Sequence, residues 1–344
     1  MNDILTQKKV KQHLEAFEYL EYFNSVVLDG KSPYFDGKEI DFGDRRGQLF
    51  KKGQSNQGIL DAANLYLDLY PMVPLRKNNH DKADYLKKGK KRIETWRETF
   101  KSLNDENELL VTTIDILDWG NVWSSNIADV IEIFRGENSE IKSLKSYFNS
   151  IADYVKEPKL IREEDNIDIH FSSGWTKVYS FLYDSMVIYD SRVSAFLNYT
   201  LLMALKTYCE NNRSNEEKKN AIRGFEKIAS NLFNFGGSGN NGNLRKFSFK
   251  RKSGLFKSEP NKKDAQGFNA NVIATWIFLE IWSKIPSEIK NGINDEFGNE
   301  NGIRILERAF FLFGFDLSKF KDNNGNSMQS KYFETTIESL QNLK

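Results

Sequence analysis

An amine and a carboxylate mark the two ends of the stretch "GWTKVYSFLYDSMVIYDSRV", residues 174–193. Lys177 follows Gly174 closely, and Asp190 ends the apolar run 186–189. An amine that has lost its proton is a nucleophile toward an electron-poor carbon. A carboxylate held away from water stabilises a developing positive charge and can orient or deprotonate an attacking group. Each residue also has a plain structural role. Asp is among the best helix N-caps, worth about 0.5–2 kcal/mol over alanine. Lysine is ordinarily a solvated surface residue, and glycine lets the chain turn.

The elements that carry these residues are helices. Val193, Phe196, Leu197, Leu201, Ala204, Leu205 and Tyr208 recur at helical spacing, so a helix is expected to begin at Asp190 or just after it. A shorter helix is expected over 175–183, with Trp175, Val178, Phe181 and Leu182 on its buried side. Arg192, in the first turn of the longer helix, either contacts a phosphate or simply faces solvent.

The rest of the chain reads as almost entirely α. Helical patterns are expected over 4–27 (Leu14, Phe17, Leu20, Phe23), 59–70 and a charged segment from 81 to 103. "DWGNVWSSN" punctuates the chain before "IADVIEIF", with Asn126 and Asp129 as a helix-start signal. Further helices are expected near 140–155, 215–233, 269–285, 302–313 and 328–342. The 269–285 segment is apolar nearly all round (Val272, Ile273, Trp276, Ile277, Phe278, Leu279, Ile281, Trp282), which predicts a central, buried helix. Two segments break the pattern. Residues 30–58 contain six glycines and Pro33 and read as loop. Residues 236–267 are Gly-rich and carry eight basic side chains, among them Arg245, Lys246, Lys250, Arg251 and Lys252, against the two acidic ones Glu259 and Asp264. "KFSFK" within this stretch alternates at a strand period, so a basic loop or hairpin insertion is expected. Such an insertion suits a grip on a nucleic-acid backbone, or a solvated surface excursion.

Bulk properties set the outer limits. Lys and Arg number 49 against 48 Asp and Glu, so net charge gives no vote for nucleic acid and any anion-binding surface must come from local clustering. Aromatics at 13% and apolar residues at 39% are enough for a real core. The single cysteine, Cys209, excludes a disulfide framework and a multi-cysteine metal centre. His13, His80 and His170 are too scattered to suggest zinc. The N-terminus lacks an apolar signal region, and the greasiest window, "NVIATWIFLEIW", is interrupted by Thr275 and Glu280. A cytoplasmic protein without a membrane span is expected. No phosphate-binding G-x-x-x-x-G-K-[ST] occurs, so a reaction without cofactor is the simplest expectation.

Taken in order, glycine, Thr-Lys-Val, apolar helix, apolar-x-Asp and striped helix resemble the helix-hairpin-helix DNA glycosylases, especially the 8-oxoguanine DNA glycosylase-like branch. The resemblance covers roughly 168–200. It implies that "GWTKV" supplies Gly174, with Ser173 and Thr176, as a backbone clamp on a DNA phosphate. Lys177 would be the amine nucleophile of lyase-competent members, and Asp190, from "VIYDSRV", the essential carboxylate. Two departures stand out. Ser173-Gly174-Trp175 replaces the usual Gly-x-Gly, and the interval from Lys177 to Asp190 is short for the family. The absence of a cysteine cluster excludes the iron–sulfur branch.

The resemblance further implies a mainly α helix-hairpin-helix fold over 106–344, preceded by an N-terminal extension over 1–105. The partner would be double-stranded DNA with a modified base flipped into a pocket. Trp119, Trp123 and Trp175 are candidates for its wall or for a wedge. The unusual hairpin motif, the extension and the basic insertion favour a relative of the anti-phage glycosylases, which excise hypermodified bases such as glucosylated cytosine. A repair glycosylase for oxidised or alkylated bases and a non-catalytic DNA-binding protein remain the alternatives. A monomer with no cofactor is expected.

Overall fold

The computed structural model describes residues 5–28, 63, 82–122, 124–136, 143–165, 167–232, 264–291 and 302–314. About 80% of these are helical and none lies in a strand, so the expected mainly α class holds. The loop 30–58, most of 59–70, the basic stretch up to residue 263 and the segment 328–342 lie outside the described residues. So do Trp123, Arg245, Lys246, Lys250, Arg251 and Lys252.

The helices are α1 (Gln7–Glu15), α2 (Tyr19–Tyr22, running into a π-helical turn Phe23–Leu28), α3 (Lys82–Ser102), α4 (Glu106–Trp119) and α5 (Ser124–Arg135). They continue with α6 (Leu144–Lys156), α7 (Ser173–Leu182), α8 (Ser191–Glu210), α9 (Asn215–Leu232), α10 (Asp264–Lys284) and α11 (Gly302–Phe313). The chain forms two compact units whose segments alternate in sequence. One comprises Met1–Leu65, Asp190–Lys262 and Trp276–Lys344; the other comprises Tyr66–Tyr189 and Lys263–Thr275. Residues on both sides of position 105 therefore share a unit.

In the first unit α8 is the central element, packed by α2, α9 and α11. Its sequence announces a single apolar stripe, yet every residue from 193 to 205 is buried, because neighbours cover it on all sides. Phe196 stacks on Phe313 (5.1 Å, 29°) and meets Phe310 edge-on (4.8 Å). The helix expected over 4–27 is interrupted. Glu18 adopts a left-handed conformation (φ 51°, ψ 38°), and its carboxylate pairs with Arg213. The interruption has a packing reason. A straight helix would point Phe17 and Tyr19 about 200° apart, whereas here both are fully buried. Phe17 meets Phe225 edge-on, and the Tyr19 hydroxyl shares a 3.0 Å hydrogen bond with Thr200 Oγ1 of α8.

In the second unit α7 is the buried element, packed against α3 and α4. All residues from Gly174 to Leu182 are buried. Trp96, Trp119 and Phe181 form an aromatic cluster, with Phe181 edge-on to both tryptophans (4.9 and 5.4 Å). The first half of α10 belongs here and is buried from Gly267 to Thr275 except at the half-buried Asn269. Val187 N–H donates to Thr275 Oγ1 (3.2 Å) and so ties the segment before Asp190 to this helix.

Candidate active site

Asp190 is the N-cap of α8, as its sequence context predicts. Its Oδ1 accepts from the backbone N–H of Arg192 (2.9 Å) and Val193 (3.0 Å), satisfying two donors that a helix start otherwise leaves open. The residue is only 7% exposed and follows four buried residues, Met186, Val187, Ile188 and Tyr189. A buried carboxylate at the positive end of a 20-residue helix is held rigidly and in its favoured electrostatic setting. Arg192, half-buried, lays its guanidinium over the Phe311 ring at 4.4 Å.

Lys177 lies in the second turn of α7 and is 6% exposed, which is not the solvated position ordinary for lysine. Its Nζ donates to the carbonyl of Ser173 (2.9 Å), one turn back on the same helix. Thr176 Oγ1 donates to that carbonyl too (3.1 Å). Lys177 and Asp190 fall in different units.

Gly174 is not a turn glycine. It is the second residue of α7, and its N–H, like that of Trp175, donates to Ser172 Oγ (3.1 Å each), the helix N-cap. A Cβ at this position would press on the Asn126 side chain (2.7 Å), so the residue is small for close packing. The segment 167–172 before it is non-helical, with the N-cap Ser172 itself extended (φ −162°, ψ 176°), and follows a 3-10 turn at Glu163–Asp165. The motif thus opens α7, after the non-helical connection that follows α6. Asn126, read from sequence as a helix start, sits inside α5 and receives the Ser172 hydroxyl hydrogen bond, while its Nδ2 donates to Val122 O (3.0 Å).

Trp175 is fully buried and Trp119 half-buried. Trp119 belongs to the cluster with Trp96 and Phe181, and Trp175 stacks between His170 (5.4 Å, 24°) and Tyr179 (5.9 Å, 29°).

Around Trp175 the structure assembles groups that no sequence spacing announces. Trp175 Nε1 donates to Asp129 Oδ2 (3.2 Å), and His170 Nδ1 lies 3.9 Å from the same oxygen. The backbone of His170 is clamped by two buried tyrosines. Its N–H donates to Tyr147 Oη (3.1 Å), and its carbonyl accepts from Tyr179 Oη. Since Tyr179 donates there, Tyr147 donates to Tyr179 across 2.7 Å, and the circuit closes with every proton placed. Burial holds both phenols protonated far above their ordinary range. Asp264, in the first turn of α10, is also raised, first by partial desolvation; the Phe171 N–H bond and His170 oppose this, and Asp129 and Asp168 add to it. These groups come from four separate segments, 129, 147, 168–179 and 264, so only the fold reveals them.

Among the described residues no cluster of His, Cys, Asp or Glu is disposed to hold a metal ion. Among them also no helix is long and apolar enough to cross a membrane. The chain matches no protein-family profile, no curated protein and no solved structure.

Proposed function

We propose that the chain is a nucleic-acid enzyme of the base-excision class, built around a carboxylate at a helix N-terminus. More particularly, we read it as a DNA glycosylase of helix-hairpin-helix type that cleaves the N-glycosidic bond of a flipped, modified base. The observation that carries this reading is Asp190: 7% exposed, fixed through Oδ1 by two backbone N–H groups, at the head of the buried helix α8. Glycosidic cleavage builds positive charge on the sugar. A carboxylate that needs no reorganisation stabilises that charge better than solvent does. Capping and catalysis are compatible, because the cap fixes the group that the chemistry needs. Lys177 supplies the amine by resemblance, and its burial is supporting. An attacking amine must shed its proton, which a desolvated setting favours. The bases in view are the hypermodified pyrimidines of phage DNA, with oxidised or alkylated bases as the repair alternative.

The test incubates wild type and Asp190→Asn with unmodified bacterial and hypermodified phage DNA and counts abasic sites. Asparagine keeps the cap and removes the charge. Abasic sites from wild type alone, on one class of DNA, are expected. Their absence on every DNA with both proteins folded makes Asp190 a cap only. Salt-sensitive DNA binding would then leave the non-catalytic binder as the better reading.

A further inference from the structure

We propose that Gly120 is a positioning residue for Lys177: its bare Cα, just past the end of α4, is the bed along which the lysine stem runs, and it decides where the amine ends. The meaning of this for catalysis rests on reading Lys177 as the amine of a base-excision enzyme. The geometry itself does not.

The contact is intimate. A Cβ built on Gly120 would collide with Cδ of Lys177 and lie 2.8 Å from Cε, the carbon that bears the amine; Val122 Cγ2 would follow at 3.2 Å. Real Cβ atoms do not approach that closely, so any side chain here must push the lysine aside. The backbone, by contrast, has no need of glycine. Gly120 has φ −73° and ψ −7°, open to every L residue, and its N–H donates to Ile116 O (2.9 Å). The left-handed position that commonly ends a helix is taken by its neighbour Asn121, at φ 50°. Glycine at 120 is therefore explained by what lies over it.

That passage matters because of where Lys177 starts. The residue is buried within α7, and its Nζ donates back to Ser173 O (2.9 Å). The four-carbon stem must double back toward the start of α7, and α4 packs against that helix. The chain around 120 contributes the surface the stem crosses. The carbonyl-rich end of α4 is also a favourable place for a cation.

The first test is Gly120→Ala in the full chain, with amine acylation by limiting acetic anhydride measured over a range of pH and resolved by peptide mass spectrometry. The exposed Lys101 serves as internal control. The expected result is a several-fold change in the rate at Lys177 and a displaced pH midpoint, with Lys101 unchanged. Unchanged rate and midpoint at Lys177 would overturn the proposal. The second test is a double-mutant cycle with Lys177→Ala, read by chemical denaturation. Gly120→Ala should lose stability in the wild-type background and clearly less where the stem is gone, the Val122 contact at 3.2 Å being common to both. An equal loss in both backgrounds would overturn the proposal too. If Lys177→Ala does not fold, the acylation result decides alone. Neither test uses DNA, so a failure to find abasic sites removes the catalytic reading while leaving the positioning claim to stand or fall by itself.

Discussion

The indole of Trp175 and the carboxylate of Asp129 are joined by a hydrogen bond, Nε1 donating to Oδ2 over 3.2 Å, with the indole wholly buried. The same oxygen faces His170 Nδ1 at 3.9 Å, and the imidazole stacks on the indole. One carboxylate therefore serves two rings that also touch each other.

Asp129→Ala strands a buried donor, and an unmade hydrogen bond of that kind costs about 1–3 kcal/mol. Asp129→Asn retains an oxygen that can accept from the indole and should lose less. Chemical denaturation followed by tryptophan fluorescence checks the order. Equal losses for the two variants would mean that the charge, not the acceptor, matters.

At Asp190 stability and activity should separate. Alanine removes the cap and should cost about 0.5–2 kcal/mol. Asparagine should leave the denaturation midpoint near wild type while abolishing abasic-site formation. Activity that survives in the asparagine variant would leave only the capping role.

Asp264 gives a pH signature. Its folded pKa is raised from the ordinary 3.8, so its ionised form carries a folding penalty that grows as pH rises through that range. Asp264→Asn keeps an acceptor for the Phe171 N–H and removes the charge. The variant should be more stable than wild type at neutral pH, and the gap should close as the solution is acidified below pH 3.8. Denaturation at a series of pH values measures this; a gap that stays constant with pH contradicts it.

Cys209 gives a second signature, in alkali. Burial pushes its thiol from 9.0 up to about 11, with Lys218 opposing and Glu210 adding to the effect. The folded state thus holds the proton more tightly than the unfolded chain does. Stability from this group is complete below pH 9 and is lost as pH rises toward about 11. Cys209→Ala should flatten that part of the alkaline stability curve. In wild type at pH 8, a disulfide-exchange reagent should react slowly until denaturant is added.

Much of the helical order was legible because it rests on local patterns. The α8 stripe, the Asp190 cap before it and the apolar run of α10 are each written within a few turns of chain. What escaped is what depends on neighbours from elsewhere. Nothing around Glu18 in sequence says that the helix must stop there so that Phe17 and Tyr19 can both turn inward. Lys177 reads as a surface residue until Gly120 and Ser173 are seen to enclose it. Gly174 reads as a turn until the Asn126 side chain is found against it. The Asp129, His170 and Asp264 grouping has no periodicity at all, because each member arrives on a different segment.

The alternation of the two units has a consequence for the chain as it is made. α1 and α2 belong to a unit whose central helix, α8, starts at residue 191. The Tyr19 hydroxyl meets its partner Thr200 only 181 positions later, a wait of roughly 10–40 s at ordinary ribosomal speeds. Until then the Tyr19 hydroxyl lacks this partner, and Phe17 waits in the same way for Phe225 and Phe23 for Phe310. Each unit is thus completed only after distant stretches of the gene have been translated, and no contiguous fragment encodes one unit whole without part of the other.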